Sequence, residues 1–236
     1  MISSPGGRPY NEDSCNFLTA GELSCWVLAD GLGGQGGGDA ASSMACDTVL
    51  RSFQKSPEIT SLAVQSYIDS ANHAILERQQ IDPALMRMAS TVVVLAADLN
   101  RAVWGHLGDS RLYHLRKGKI IAQTKDHSVA QSLVDAGDLK PAQIRFHPDR
   151  SSLRKSLGKK EQSGTSTFPK PTPIDPGDAF LLCSDGFWEL VTEVEMEIEY
   201  SKARTPSDWL RGMEFRLFRK ITPESDNYSA VAVFAV

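Results

Sequence analysis

Aspartates stand at the ends of short apolar stretches at four separate places in the chain. These places are Ala29-Asp30-Gly31, Gly108-Asp109-Ser110, Ser184-Asp185-Gly186 and Asp226-Asn227. If the apolar stretches are strands of stacked sheets, their ends can meet at one edge. Carboxylates gathered there repel one another unless cations lie between them. Ligands that are all oxygen favour Mg²⁺ or Mn²⁺, whereas zinc usually recruits His or Cys.

A fifth acidic element lies near the N-terminus, where Glu12 and Asp13 follow Arg8. Taken singly, each of these short motifs is more often an ordinary turn or a solvated side chain. Their joint occurrence beside apolar stretches is harder to explain as a set of surface turns. The sequence therefore predicts an acidic metal site, with Gly31 able to add its carbonyl oxygen.

The glycines after Asp30 offer an alternative, because residues 31–36 fit the G-x-G-x-x-G pattern of dinucleotide-binding loops. That fold needs a second strand ending in an acid about 20 residues further on. The pattern after the glycines is helical instead, and Glu58 stands between two helices. Asp30 would also face the pyrophosphate with like charge, a repulsion of roughly 4 kcal/mol at about 4 Å and an effective dielectric near 20. We therefore disfavour a dinucleotide-dependent oxidoreductase.

Composition sets wide bounds. The chain has 236 residues, 41% hydrophobic and 23% charged, with a formal net charge of −4. These values are typical of a globular protein and give no reason to expect nucleic acid or an anionic membrane as a partner. The four cysteines form no C-x-x-C pair, so we expect reduced thiols and a cytoplasmic protein without a membrane segment. The oligomeric state stays open.

Periodicity predicts helices and strands in separate groups. Helices are expected at 39–53 with Asp39 as N-cap, and at 60–80, 128–136, 192–203 and 206–219. Strands are expected at 24–29, 90–97, 102–107, 111–115, 119–121, 179–183 and 230–236, those from 90 to 121 forming an antiparallel meander. Both helix groups must cover sheet, which suggests a layered α/β sandwich. Residues 138–178 are irregular.

The ordered motifs resemble those of the metal-dependent protein serine/threonine phosphatases of the PP2C (PPM) type, in their bacterial form. They read RPYNEDS, DGLGG, GDSRLY, TKDHS, CSDGFWE and DNYS, and the resemblance runs from about residue 6 to 236. It implies one domain over 1–236 with the α/β fold of a four-layer α-β-β-α sandwich. Its two central antiparallel sheets would hold a binuclear Mn²⁺ or Mg²⁺ centre at one edge.

The resemblance also implies residue roles. Asp30 would bridge the two metals and Gly31 would bind one through its carbonyl. Asp185 and Asp226 would bind the other metal, and Asp109 would join Asp185 at a third, weaker metal site. Asp13 would act mainly through water bound to a metal, with Glu12 beside it. Arg8 would hold the substrate phosphate, as a bidentate guanidinium can.

The implied activity is hydrolysis of phosphoserine and phosphothreonine in proteins by a metal-activated hydroxide, opposing a Ser/Thr kinase. A catalytically inactive signalling or binding module is the alternative. Leu32 stands where some members have a histidine as general acid, so the proton donor is left open; His106 and His127 are expected to be structural. Residues 138–172 correspond to the variable flap and the segment that follows it, where 147–150 could touch substrate; a plain surface loop is the alternative. The short sequence before Arg8 predicts that the first strand is short or missing.

Overall fold

The computed structural model describes residues 1–33, 36–159, 165–167 and 170–235. The strands are β1 (Ile2–Ser4), β2 (Asp13–Ala20), β3 (Leu23–Asp30), β4 (Val92–Ala97), β5 (Arg101–Leu107), β6 (Arg111–Arg116), β7 (Lys119–Gln123), β8 (Ser166–Thr167), β9 (Thr172–Pro173), β10 (Ala179–Cys183) and β11 (Tyr228–Phe234). The helices are α1 (Gly38–Lys55), α2 (Ser61–Ile81), α3 (Val129–Ala136), α4 (Asp185–Trp188), α5 (Glu193–Lys202) and α6 (Pro206–Phe218).

The strands form two antiparallel sheets. One has the order β1-β11-β10-β6-β7, and the other runs β2-β3-β4-β5 with the short β8 and β9 both pairing with β5. The predicted meander through residues 90–121 is wrong as a single sheet. β4 and β5 belong to one sheet and β6 and β7 to the other, so the chain changes sheets at residues 108–110. Asp109 therefore lies at the boundary between the sheets.

Three apolar clusters give the four layers. The central cluster lies between the sheets and includes Leu28, Leu95, Phe180 and Val231. A second cluster packs β3 and β4 against α1 and α2, and a third packs β10 and β11 against α5 and α6. Every residue of β4 is buried, because this strand is covered by helices on one face and by the other sheet on the second. The predicted four-layer sandwich is confirmed.

Local signals place the helix ends. The Thr60 side chain accepts a hydrogen bond from Ala63 at the start of α2, and Thr192 and Thr205 form capping boxes at the starts of α5 and α6. The prediction of Asp39 as N-cap is wrong: α1 begins at Gly38, after Gly37 in the left-handed region (φ 82°), without a side-chain cap. Glycine adopts that conformation without steric cost.

The largest omission from the predicted elements is β2. It pairs with β3 over its whole length, with Asp13 opposite Asp30. The predicted shortness of the first strand is confirmed, since β1 has three residues. Within 138–172, a 3₁₀ helix covers Pro141–Phe146, and residues 160–164 and 168–169 lie outside the described residues. No helix in the described part of the chain has the length and apolar character to cross a bilayer.

A buried carboxylate just before β10, that of Asp178, bonds to side chains of the neighbouring strand β6. Asp178 is 1% exposed and accepts hydrogen bonds from Arg116 Nε at 2.9 Å and from His114 Nε2 at 3.0 Å. Burial alone would raise the pKa of Asp178, but the bonds from Arg116 and from the Asp175 backbone lower it to about 2. The network thus favours the ionised carboxylate in the folded state.

The Asp178→Asn substitution should lower the free energy of unfolding by about 2 kcal/mol at pH 7. The folded pKa lies below the ordinary 3.8, so the stabilisation is complete above that value and is lost as the pH falls toward 2. The difference between variant and wild type should therefore shrink below about pH 4, as measured by urea unfolding across pH.

Asp175→Asn is the matched control. Asp175 also pairs with Arg116, at 3.1 Å, but its side chain is 58% exposed, so its loss should cost less than about 1 kcal/mol. Equal losses in the two variants, or a pH-independent loss in Asp178→Asn, would contradict this account of the network.

Candidate metal centre

The predicted acidic residues meet in one cleft of about 730 Å³ at the edge where strands of both sheets end. Asp30 ends β3, Asp185 follows β10 and Asp226 precedes β11. Asp109 reaches the cleft from the turn that joins the sheets. The predicted residues that line this cleft are Arg8, Glu12, Asp30, Gly31, Asp109, Asp185 and Asp226.

Asp13 stands behind this lining. Its Cα is paired with that of Asp30 across β2 and β3. Its Oδ2 accepts a hydrogen bond of 2.7 Å from the Ser184 hydroxyl, while its Oδ1 is buried without a hydrogen-bond partner. A buried carboxylate oxygen without a partner is costly. A cation or an ordered water bound to one would satisfy it.

Burial and mutual repulsion favour the protonated forms of four acids, Asp13, Asp30, Asp109 and Asp185. Burial is the largest cause for each, followed for Asp30 by the charges of Asp13 and Asp185, and these raise the pKa of Asp30 well above its usual range. Asp109 is raised in the same way, with Asp185 as the largest charge. Burial, Glu189 and Asp226 raise the pKa of Asp185 to about 7, and burial raises that of Asp13 to about 6.

Hydroxyl groups fix the backbone on both sides of the cleft. The Asp30 N–H donates to Thr91 Oγ1 at 3.1 Å, and the Ser90 hydroxyl donates to the Asp30 carbonyl at 2.8 Å. Ser184 Oγ, which donates to Asp13, accepts the Ser229 N–H at 2.9 Å. These three hydroxyl residues were not predicted as part of the site, because serine and threonine beside strands are common.

Asn227 anchors the N-terminal segment to the cleft. Its Nδ2 donates to the carbonyls of Pro5 at 2.9 Å and Tyr10 at 2.8 Å, and its Oδ1 accepts the Glu12 N–H at 2.8 Å. This amide holds the stretch that carries Arg8, Glu12 and Asp13 against the start of β11. Asn227 was not predicted as a site residue, although its position directly after Asp226 could have indicated one.

The glycines beside the aspartates serve close packing. A Cβ on Gly31 would lie 2.2 Å from the Gly38 carbonyl oxygen, and one on Gly186 would lie 2.1 Å from the Asn227 carbonyl oxygen. The structure excludes the dinucleotide fold, because β3 is followed by two helices and then by β4 in antiparallel pairing. Gly34 and Gln35 of that pattern lie outside the described residues.

Arg8 reaches the acids from the cleft wall. Its guanidinium donates to Asp226 Oδ2 at 3.2 Å, and both side chains are about half exposed. An exposed pair of this kind adds little stability, so the guanidinium is available to another anion. Lys159 also lines the cleft, as do Ser151 and Leu153. Of the 147–150 stretch, Arg150 pairs with Glu189 at 2.5 Å.

Leu32 lines the cleft, and its N–H donates to the Ala89 carbonyl at 2.9 Å. No histidine is among the described residues lining the cleft. His106 and His127 are stacked on each other with ring centroids 4.6 Å apart. Burial, with the charges of His106 and Lys155, lowers the pKa of His127 to about 3. This environment agrees with the structural role expected for both rings.

The donor set fits divalent cations that complete their coordination with water. In the described ranges no three or more His, Cys, Asp or Glu side chains form a ready cage for an ion. However, the cleft gathers several carboxylates beside the Gly31 backbone, and Asp13 offers an oxygen without a partner. An oxygen-only set with room for water is typical of Mg²⁺ and Mn²⁺ sites.

Comparison with known proteins defines the class. The protein phosphatase 2C family pattern matches residues 7–214, and the chain belongs to this family. Serine/threonine protein phosphatase PstP of Mycobacterium tuberculosis is 34% identical over 187 residues, which are 79% of this chain and 35% of the relative. The chain thus spans about a third of the length of that relative.

Two solved structures share the fold. The M. tuberculosis serine/threonine phosphatase PstP/Ppp matches with a TM-score of 0.85 and 28% identity, over 100% of this chain and 97% of that one. The catalytic domain of PstP in complex with two manganese ions matches with a TM-score of 0.80 and 25% identity, over 98% and 95% of the two chains.

Asn227→Ala should lower the free energy of unfolding by about 2–4 kcal/mol, because it removes three hydrogen bonds and leaves main-chain groups without partners. It should also make the segment before β2 more sensitive to limited proteolysis. Urea unfolding and mass spectrometry of the fragments measure both effects.

Asn16→Ala is the control, since Asn16 is exposed on β2 and its side chain, among the described residues, accepts a hydrogen bond from the next backbone N–H. It should change stability by no more than about 0.5 kcal/mol. An unchanged protease pattern in Asn227→Ala would mean that the amide does not hold the segment.

Proposed function

We propose that this protein is a protein serine/threonine phosphatase that hydrolyses phosphoserine and phosphothreonine with two bound Mn²⁺ or Mg²⁺ ions. One observation carries the proposal: a chain of the phosphatase 2C family brings its aspartates and Arg8 to a single cleft. The manganese-bound relative of the same fold supports the choice of metal.

Each carboxylate would have its own part in binding the ions. Asp30 is central, with the backbone carbonyl of Gly31 beside it, and would contact both ions. Asp185 and Asp226, which enter from the other sheet, would hold the second ion. Asp13 would act through water with its unpartnered oxygen, next to Glu12, and Asp109 with Asp185 offers a third site. When bound, the cations supply positive charge to the phosphate and lower the pKa of a water.

Arg8 is suited to orient the substrate phosphate. Its guanidinium already contacts one carboxylate at the cleft wall and is half exposed. A planar guanidinium can donate two parallel hydrogen bonds to phosphate oxygens, where charge collects during phosphoryl transfer. Arg8 would thereby position phosphorus for attack from the side of the aspartates.

The chain offers no side-chain acid where some relatives of this family have histidine. Leu32 cannot donate a proton, and the described cleft lining contains no imidazole. The cleft is open to solvent, so we infer that water protonates the serine or threonine oxygen as it leaves. We disfavour the inactive-module alternative, because Arg8, Asp30, Asp109, Asp185 and Asp226 line one cleft.

The setting of the enzyme is part of the proposal. The four cysteines are free thiols, as is usual in a reducing compartment, and we infer a cytoplasmic enzyme. Its substrates would be phosphoproteins made by a Ser/Thr kinase. We also infer that residues 1–236 form one phosphatase domain.

Activity should depend on metal and on the central aspartates. Hydrolysis of p-nitrophenyl phosphate and of a phosphothreonine peptide should need Mn²⁺ or Mg²⁺ and stop with EDTA. Asp30→Asn and Asp226→Asn should each lower kcat by about 100-fold or more, because a ligand charge is lost. Steady-state kinetics at saturating Mn²⁺ measures this.

Asp47→Asn is the control for the same chemical change, since Asp47 is exposed on α1, and it should retain wild-type kcat. Turnover in EDTA, or full activity in both cleft variants, would refute the proposal. A folded wild type that binds Mn²⁺ but hydrolyses neither substrate would favour the binding module.

Arg8→Ala should lower kcat/KM by roughly 10- to 100-fold, the range for loss of a charge-assisted hydrogen bond. Arg8→Lys should recover only part of this, because an ammonium keeps the charge without the bidentate geometry. Initial rates with p-nitrophenyl phosphate give both values.

Arg51→Ala on the exposed face of α1 is the matched control and should behave as wild type. If Arg8→Ala left kcat/KM unchanged, phosphate binding would not involve this side chain.

A further inference from the structure

We propose that His127 is a positioning residue that holds the turn carrying Asp109 in the geometry required by the cleft. The proposal deepens the proposed function, because Asp109 is one of the carboxylates assigned there. His127 itself is not among the residues that line the cleft. Its effect must therefore pass through the groups it contacts.

His127 makes two hydrogen bonds to Gly108, the residue before Asp109. The Gly108 N–H donates to His127 Nδ1 at 3.1 Å, and the His127 N–H donates to the Gly108 carbonyl at 2.9 Å. Both polar groups of the Gly108 backbone are therefore satisfied by one residue. Since Nδ1 accepts, the ring is neutral and carries its proton on Nε2.

The backbone of Gly108 is closely packed, so a change at His127 would not leave it room to shift toward Thr91. Its φ is +110°, in the region that favours glycine. A Cβ there would lie 2.7 Å from the Thr91 side chain, so the turn is packed directly against that residue. The same Thr91 accepts the Asp30 N–H, which links this packing to the central aspartate.

The rest of the turn is held by groups on other elements. Trp188 Nε1 donates to the Asp109 carbonyl at 3.0 Å, and the Ser110 and Thr91 hydroxyls lie 2.6 Å apart. His127 supplies the fixation on the β5 side, before Asp109. Asp109 is 3% exposed. The charge of Arg111 acts on its carboxylate, but no ion pair between the two is found in the described part of the chain. We therefore expect the backbone of this turn to set the direction of the Asp109 side chain.

His127 also contacts Ser166 and Arg154, which lie later in the chain. Nε2 lies 2.8 Å from the Ser166 hydroxyl of β8, and the His127 carbonyl accepts the Arg154 N–H at 2.8 Å. Arg154 follows Leu153, which lines the cleft. His127 therefore joins the Asp109 turn to the variable segment. Of these contacts, the hydrogen bond from the Gly108 N–H to His127 Nδ1 holds the backbone directly before Asp109.

Two substitutions by amide residues distinguish the roles of the two ring nitrogens of His127. His127→Asn can place its side-chain oxygen near the position of Nδ1 and keep the acceptor for Gly108. His127→Gln reaches the position of Nε2 and can keep the contact with Ser166 while losing the one with Gly108. Ser166→Ala removes only the outer contact, and His127→Ala removes both.

Ser166→Ala should have the kcat of the wild type, and the kcat of His127→Asn should lie within about threefold of it. His127→Gln and His127→Ala should each lower kcat by about tenfold or more. The reason is that small displacements near the reacting groups cost large factors in rate. KM for p-nitrophenyl phosphate should change little, because Arg8 is untouched. Calorimetric titration with Mn²⁺ should show weakened binding of the weakest equivalent in Gln and Ala, restored in Asn.

Circular dichroism checks that each variant is folded, and the comparison of Asn with Gln decides even if His127→Ala fails to fold. Wild-type kcat and Mn²⁺ binding in folded His127→Gln would overturn the proposal. So would His127→Asn behaving as poorly as Gln. If the wild type hydrolysed neither substrate, the proposed function would fail, while the Mn²⁺ titrations would still test whether His127 positions Asp109.

Discussion

The carboxylates at one sheet edge repel one another, and the remainder of the fold must offset that repulsion. Burial and neighbouring charges raise the pKa of Asp13, Asp30, Asp109 and Asp185, so the folded chain holds these groups where their ionised forms are unfavourable. Only a scaffold stabilised elsewhere can keep them there. The three apolar clusters of the sandwich provide that stability, and bound cations would remove the remaining conflict.

The architecture brings the acids together through ends of elements. β3 and β10 each end in an acid or lead directly to one, and the turn at 108–110 crosses between the sheets so that Asp109 stands between them. Small residues then allow the main chains to approach, as at Gly31 and Gly186. The site is thus a property of the seam between two sheets, and neither sheet carries it alone.

Strong local signals explain what could be predicted. The buried strands β4 and β10 are continuous apolar runs, and α5 and α6 begin with capping boxes, so their positions follow from nearby residues. β2 was missed because half of its residues are polar and it lies at a sheet edge with several exposed side chains. Its strand identity comes from pairing with β3, and pairing between strands leaves little trace in a short, half-exposed sequence.

The chemistry of the candidate site could be predicted from the sequence: which aspartates stand at strand ends, that Arg8 is near them along the chain, and that oxygen ligands suit Mn²⁺ or Mg²⁺. How those groups are held follows from tertiary contacts instead. Ser184 meets Asp13 across 171 residues of sequence, and Asn227 meets Glu12 across 215. Such contacts depend on which strand ends come together in space, and spacing along a chain does not encode the partner of a single hydroxyl or amide.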